Sequence, residues 1–184
     1  GIVTPVPPLS SPEDARKQLL DSSARFLVAD DELSVKMAPV ARSCGIVEVI
    51  TCGSAADFRP LASLLGDPGS ASMPAIDPLV DIAALPYSSG TTGVSKGVTL
   101  SHANLVANVL QIDIGHMRAD DVLVCCLPLS HIYGITAIQN WALSIGATTV
   151  VMGRFDVAGL LDVLVRHRVT YAPLVPPILL EIAK

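Results

Sequence analysis

Between Pro86 and Val98 the chain reads PYSSGTTGVSKGV. Ser88, Ser89, Thr91, Thr92 and Ser95 supply hydroxyl donors, Gly90, Gly93 and Gly97 remove side-chain bulk, and Lys96 adds a positive charge. Glycine permits close backbone approach and lets successive N–H groups form an anion-binding concavity, so the combination suits phosphate groups. An ordinary Ser/Gly turn rarely sets this many donors and a lysine directly behind an apolar strand. The obvious rival is the P-loop, G-x-x-x-x-G-K-[S/T]. Counted from Gly90 the lysine falls in register at Lys96, but Ser95 stands where the second glycine belongs. Gly97 likewise replaces the hydroxyl residue that would bind magnesium, and the following GVTL reads as strand rather than helix. The helix N-terminus that backs a P-loop is therefore missing.

The elements that must position this loop alternate between two periods. Helices are expected over 10–24, 31–44 (disturbed at Pro39), 101–113, 133–145 and 156–167, with a last one after Pro177 and a short helical stretch at 57–65. Ser11 and Ser101 are the expected N-caps, and Leu105, Val109 and Ile112 share one face of the helix that Ser101 opens. Strands are expected at 25–30, 46–51, 79–88, 121–128, 146–153 and 168–174, and a Gly/Pro/Ser-rich loop at 66–78. Strands alternating with helices predict an α/β fold, a mostly parallel sheet with helices on both faces. Residues 1–79 form a first α/β portion ending in the Gly/Pro/Ser-rich loop, and 80–184 a second that carries the phosphate loop.

Composition narrows the partners. Of 184 residues, 51% are apolar and 16% charged, and the mean hydropathy of +0.55 suits strands buried on both faces. No apolar run reaches the roughly 18 residues that span a bilayer. A net charge of −5 gives nucleic acid no basic face. Cys44, Cys52, Cys125 and Cys126 lack metal-ligand spacing and read as free thiols, which with the absence of a signal-type start predicts a cytoplasmic setting. The opening GIVTPVPPLS has no initiator methionine, the mark of a processed or excised chain.

The segment YSSGTTGVSKGV resembles the phosphate-loop signature of the adenylate-forming enzymes, which include acyl- and aryl-CoA synthetases, luciferases and peptide-synthetase adenylation domains. LPLSHIYG (127–134) is similar to that family's second motif, and GATTVVMGRFD (146–156) and VTYAPLVPPILLEIAK (169–184) look like the segments that follow in 4-coumarate–CoA ligases. The opening stretch resembles the place where such enzymes read TPVNP. The likeness covers essentially the whole chain, as an internal part of the family's large N-terminal domain.

What this resemblance implies is a reaction in two halves. ATP and a carboxylate form an acyl-adenylate and pyrophosphate, and the acyl group then passes to coenzyme A. Ser88, Ser89, Gly90, Thr91, Thr92, Gly93 and Lys96 fall on the ATP-contacting loop, with Lys96 the catalytic residue that stabilises charge as pyrophosphate departs. His131 and Tyr133 match the ligases' HIY and line the acyl and adenylate pocket, and Arg154 falls near the coenzyme A path. Mg2+ is implied with ATP, although no carboxylate in the loop can hold it and no metal ligand is assigned. His102 and His116 read as helix-start and loop residues, His167 as part of a solvated helix face.

Ser95 replaces a frequent proline, Ser130 a common phenylalanine and Ala137 a pocket serine, which leaves aromatic and aliphatic carboxylates both open as substrates. The family's later glycine-tyrosine-threonine-glutamate motif, its ribose-binding aspartate, its hinge and its C-terminal lysine are not found in these 184 residues. The expectation is a ligase parent whose remaining N- and C-terminal parts are required partners, with little activity in this chain alone. The alternative is a non-catalytic nucleotide- or acyl-binding module.

Overall fold

Local chemistry starts the first helix where the sequence places it. The Ser11 hydroxyl accepts the Asp14 N–H, Pro12 opens the helix, and Glu13 and Asp14 lie at its positive end. This is α1, Pro12–Asp21. The computed structural model describes residues 1–66, 72, 74–88, 95–112 and 117–184, and divides into two units, Gly1–Leu100 and Ser101–Lys184. The expected loop at 66–78 lies partly outside the described residues, and so does His116.

In the first unit β1 (Phe26–Ala29) leads into α2 (Asp31–Ser43), whose N-cap Asp30 accepts the Leu33 N–H. The helix is continuous through Pro39, where the expected disturbance amounts to one missing hydrogen bond. Pro39 is exposed, and so is Val35, whose carbonyl loses its helical partner, so that turn stays open to water. β2 (Glu48–Thr51) pairs parallel with β1, from Phe26 opposite Glu48 to Ala29 opposite Thr51. β3 (Arg59–Pro60) adds to β2, followed by a 3-10 turn at Leu61–Leu64 where a short helical stretch is expected. Ala15 and Leu19 of α1, Met37, Ala38 and Ala41 of α2, and Ile50 of β2 are buried. The strand expected at 79–88 is split into β4 (Ile82–Ala84) and β5 (Tyr87–Ser88), on either side of Leu85 and Pro86. Val3 lies parallel beside β4, its N–H donating to the Ala83 carbonyl at 3.1 Å while its carbonyl accepts the Leu85 N–H at 2.8 Å. β6 (Lys96–Gly97) and β7 (Leu100–Ser101) take in the first and last residues of GVTL, and no helix forms between them.

The second unit opens with α3 (His102–Gln111), started by a reciprocal capping box between Ser101 and Asn104. β8 (Val122–Cys125) and β9 (Thr148–Val151) pair parallel. Leu123 and Val124 are both 0% exposed because β8 is covered on each face. Leu123 packs with Met117, Trp141, Ala142 and Ala147, while Val124 packs with Leu160 and Ile178. This explains the uninterrupted apolar run in the sequence. Leu160 belongs to α5 (Val157–Arg166), capped by Asp156, and Ile178 to α6 (Pro176–Ile182). The segment 168–174 is reduced to a single parallel bridge between Tyr171 and Leu123. Pro173 has no N–H to continue the ladder. The expected helix over 133–145 is a π-helix at Gly134–Asn140 running into α4 (Trp141–Ile145).

Candidate functional site

The ends of the glycine-hydroxyl loop form an antiparallel pair. Ser88 of β5 lies opposite Lys96 of β6, and Tyr87 opposite Gly97. The Val98 N–H donates to the Pro86 carbonyl at 2.8 Å, extending the closure. A Cβ on Gly97 would stand 3.1 Å from Cζ of Tyr87 and 3.2 Å from Cδ1 of Leu85, so this position has almost no room for a side chain. Ser95, which occupies the frequent proline position, donates from its hydroxyl to the Ser88 carbonyl at 3.0 Å. That hydroxyl therefore serves loop closure. Lys96 is exposed and makes no ion pair among the described residues. Ser88 and Lys96 are brought together at the loop's base; Ser89, Gly90, Thr91, Thr92 and Gly93 lie outside the described residues.

His131, Tyr133 and Arg154 belong to the second unit. Both loops that carry them leave the carboxyl ends of parallel strands, His131 and Tyr133 after β8 and Arg154 after β9. Open α/β sheets bind ligands at such ends. The Tyr133 N–H donates to Nδ1 of His131 at 3.2 Å, which leaves the ring N–H on Nε2. His131, Tyr133 and Arg154 are exposed, and Arg154 makes no ion pair among the described residues. The glycine that closes LPLSHIYG has a steric reason. A Cβ on Gly134 would stand 2.4 Å from the Pro128 carbonyl oxygen and 2.9 Å from Cα of Leu129. The start of the π-helix is pressed against the backbone of its own motif, and Thr136 ties the turn further by donating to the Ile132 carbonyl at 2.7 Å.

His102 opens α3 and His167 is the exposed residue closing α5. All four cysteines are free, and burial pushes the Cys125 and Cys126 thiols up. An apolar cavity of about 860 Å³ in the first unit is lined by Val3, Leu19, Phe26, Met37 and Leu85 among others, and by none of the candidate residues. The described donors, the Ser88 hydroxyl and the exposed Lys96 ammonium on paired strands, are of the kind that suits an anionic phosphate. Among the described residues no group of three or more His, Cys, Asp or Glu side chains could hold a metal ion, so no step is assigned to Mg2+. No helix of the described residues is long and apolar enough to cross a membrane.

The fold is α/β with parallel strand pairs, and the pair formed by Ser88 and Lys96 is followed by extended chain rather than by the helix that backs a P-loop. The profile of AMP-binding enzymes matches residues 1–184, and the chain belongs to that family. It is 43% identical over 191 residues to 4-coumarate–CoA ligase 5 of Oryza sativa subsp. japonica, covering 100% of this chain and 35% of that protein. A long-chain-fatty-acid–CoA ligase from Archaeoglobus fulgidus superposes with a TM-score of 0.85 at 30% identity, over 98% of this chain and 36% of that one. The ATP-bound structure of MatB from Rhodopseudomonas palustris gives 0.82 at 28% identity, over 100% of this chain and 36% of that one. The chain thus spans about a third of the length of these relatives.

Proposed function

We propose that these residues form the nucleotide-phosphate portion of an ATP-dependent carboxylate–CoA ligase, which makes an acyl-adenylate and then an acyl-CoA thioester. The observation that carries the reading is the Ser88–Lys96 pairing, which joins the two ends of the glycine-hydroxyl segment and leaves Lys96 exposed, with no ion pair among the described residues. The 4-coumarate–CoA ligase and fatty-acid–CoA ligase relatives and the ATP-bound MatB neighbour support it.

In this mechanism the loop's hydroxyls and amides, from Ser88 through Thr92, hold the β- and γ-phosphates. The work is positioning and electrostatic stabilisation. Lys96 offsets the charge that develops as the bond between the α- and β-phosphates breaks and pyrophosphate departs. The Nε2–H of His131 and the ring of Tyr133 line the acyl and adenylate pocket, and Arg154 meets a phosphate of coenzyme A as a point charge. The carboxylate is aromatic or aliphatic.

The isolated 184 residues have little or no turnover, because they do not contain the adenine, ribose and lysine motifs that must converge on the same ATP. Carboxylate-dependent exchange of pyrophosphate into ATP tests both halves of the proposal. The full-length protein containing these residues exchanges, and the 184-residue chain does not. Ordinary exchange by the short chain would overturn its inactivity, and a full-length reading frame that binds nucleotide without exchange would favour the non-catalytic binding module.

A further inference from the structure

The strand that enters the phosphate loop is fastened to α1 at two points. The Tyr87 hydroxyl donates to Oδ2 of Asp21, the last residue of α1, at 2.5 Å. One turn earlier, buried Gln18 donates from Nε2 to Oγ1 of Thr4 and to the Pro5 carbonyl, both at 2.9 Å, and the Thr4 hydroxyl donates onward to the Leu85 carbonyl at 2.8 Å. Gln18 and Asp21 are three apart and share a helix face, so one side of α1 reaches the Leu85–Tyr87 segment directly and through Thr4.

We propose that α1 braces the phosphate loop, with Asp21 and Tyr87 acting as positioning residues for the nucleotide's phosphates. The inference rests on reading the loop as an ATP site. β5 and β6 contribute only two residues each, and so short a pair has little stability of its own. Its geometry must come from outside. Tyr87 supplies that support in two directions: its hydroxyl reaches Asp21, while its ring lies over Gly97, where a Cβ would stand only 3.1 Å from Cζ. The residues next to this pair are Ser88 and Lys96, so holding Tyr87 and Gly97 fixes the two ends of the loop. Burial, reinforced by the Asp21 carboxylate, holds the Tyr87 phenol well above the usual range, so it remains a donor.

The test uses Tyr87→Phe, Asp21→Ala, Asp21→Asn and the Tyr87→Phe/Asp21→Ala double variant of the full-length protein. ATP and carboxylate KM values are measured by carboxylate-dependent pyrophosphate exchange. Tyr87→Phe keeps the ring over Gly97 and removes only the hydrogen bond. The brace predicts that Tyr87→Phe and Asp21→Ala each raise the ATP KM about three- to tenfold, with the carboxylate KM within about twofold of wild type. Asp21→Asn, which keeps an acceptor oxygen, recovers most of the loss, and the double variant matches the worse single one. An unchanged ATP KM in Tyr87→Phe, equal rises in both KM values, or fully additive effects would overturn it. If the wild-type protein shows no exchange, the ligase reading falls and takes the brace with it. If wild type exchanges and Tyr87→Phe matches it, only the brace falls.

Discussion

The two parallel strand pairs, β1–β2 and β8–β9, use their ends in opposite ways. At the carboxyl ends of β1 and β2, Asp30 caps α2, and the Asp31 carboxylate accepts the Thr51 hydroxyl and the Ser54 and Ala55 N–H groups. That end is acidic, and these three donors are turned onto the Asp31 carboxylate. At β8 the aspartate sits at the other end: Asp121 accepts the Arg118 N–H and the Thr170 hydroxyl just before the strand begins. The carboxyl ends of β8 and β9 are left to His131, Tyr133 and Arg154. The same residue type secures both pairs, at opposite ends of their strands. The faces differ too, since β8 is sealed on both sides whereas Phe26 and Val28 of β1 are 54% and 51% exposed.

The difference in faces gives the largest expected effect on stability. Leu160→Ala lowers the unfolding free energy by about 2–5 kcal/mol in urea denaturation, because it opens a cavity against Val124. Val28→Ala costs under about 1 kcal/mol, since that side chain has half its surface in water already. Equal costs would erase the contrast.

A smaller effect tests the strand ends. In the full-length protein His131→Ala raises the carboxylate KM, and Arg154→Ala the CoA KM, by roughly tenfold, about 1.4 kcal/mol each. Asp31→Asn leaves both KM values within about twofold. A substrate-specific loss in Asp31→Asn would place a ligand at the wrong pair of strands.

The smallest effect is acid sensitivity. Hydrogen bonds from Thr51, Ala55 and Ser54, in that order, hold the Asp31 carboxyl below its ordinary value of 3.8, and the Arg118 N–H and Thr170 hydroxyl do the same for Asp121. A depressed carboxyl contributes stability that is fully present above the ordinary value and is lost as pH falls below it through the folded one. The amide resonances of Ser54 and Ala55 therefore titrate below pH 3.8, and Asp31→Asn abolishes that titration. Titration that survives the substitution would assign it to another group.

How much of this was legible beforehand follows from the range of the interactions. Ser11 and Ser101 announce their helices because a cap is chemistry between residues three apart, and the apolar runs of β8 mark a doubly covered strand. The phosphate loop and LPLSHIYG were readable as motifs. The π-helix at Gly134–Asn140 was not, since nothing in GITAIQN separates it from an ordinary helix. The reason for Gly134 appears only once its contact with the Pro128 backbone is seen. Tyr87 and Asp21 lie 66 residues apart, and neither has a local pattern that names the other. Pro173 carried a signal that was available: a residue without an N–H cannot extend a strand in the middle of a ladder.

The central claim concerns the bond that breaks in ATP, and product analysis of the full-length protein tests it most directly. With ATP, coenzyme A and a panel of aromatic and aliphatic carboxylates, the account predicts stoichiometric AMP, pyrophosphate and acyl-CoA thioester, formed only when an accepted acid is present. Release of ADP and inorganic phosphate, or nucleotide turnover indifferent to any carboxylate, would contradict it.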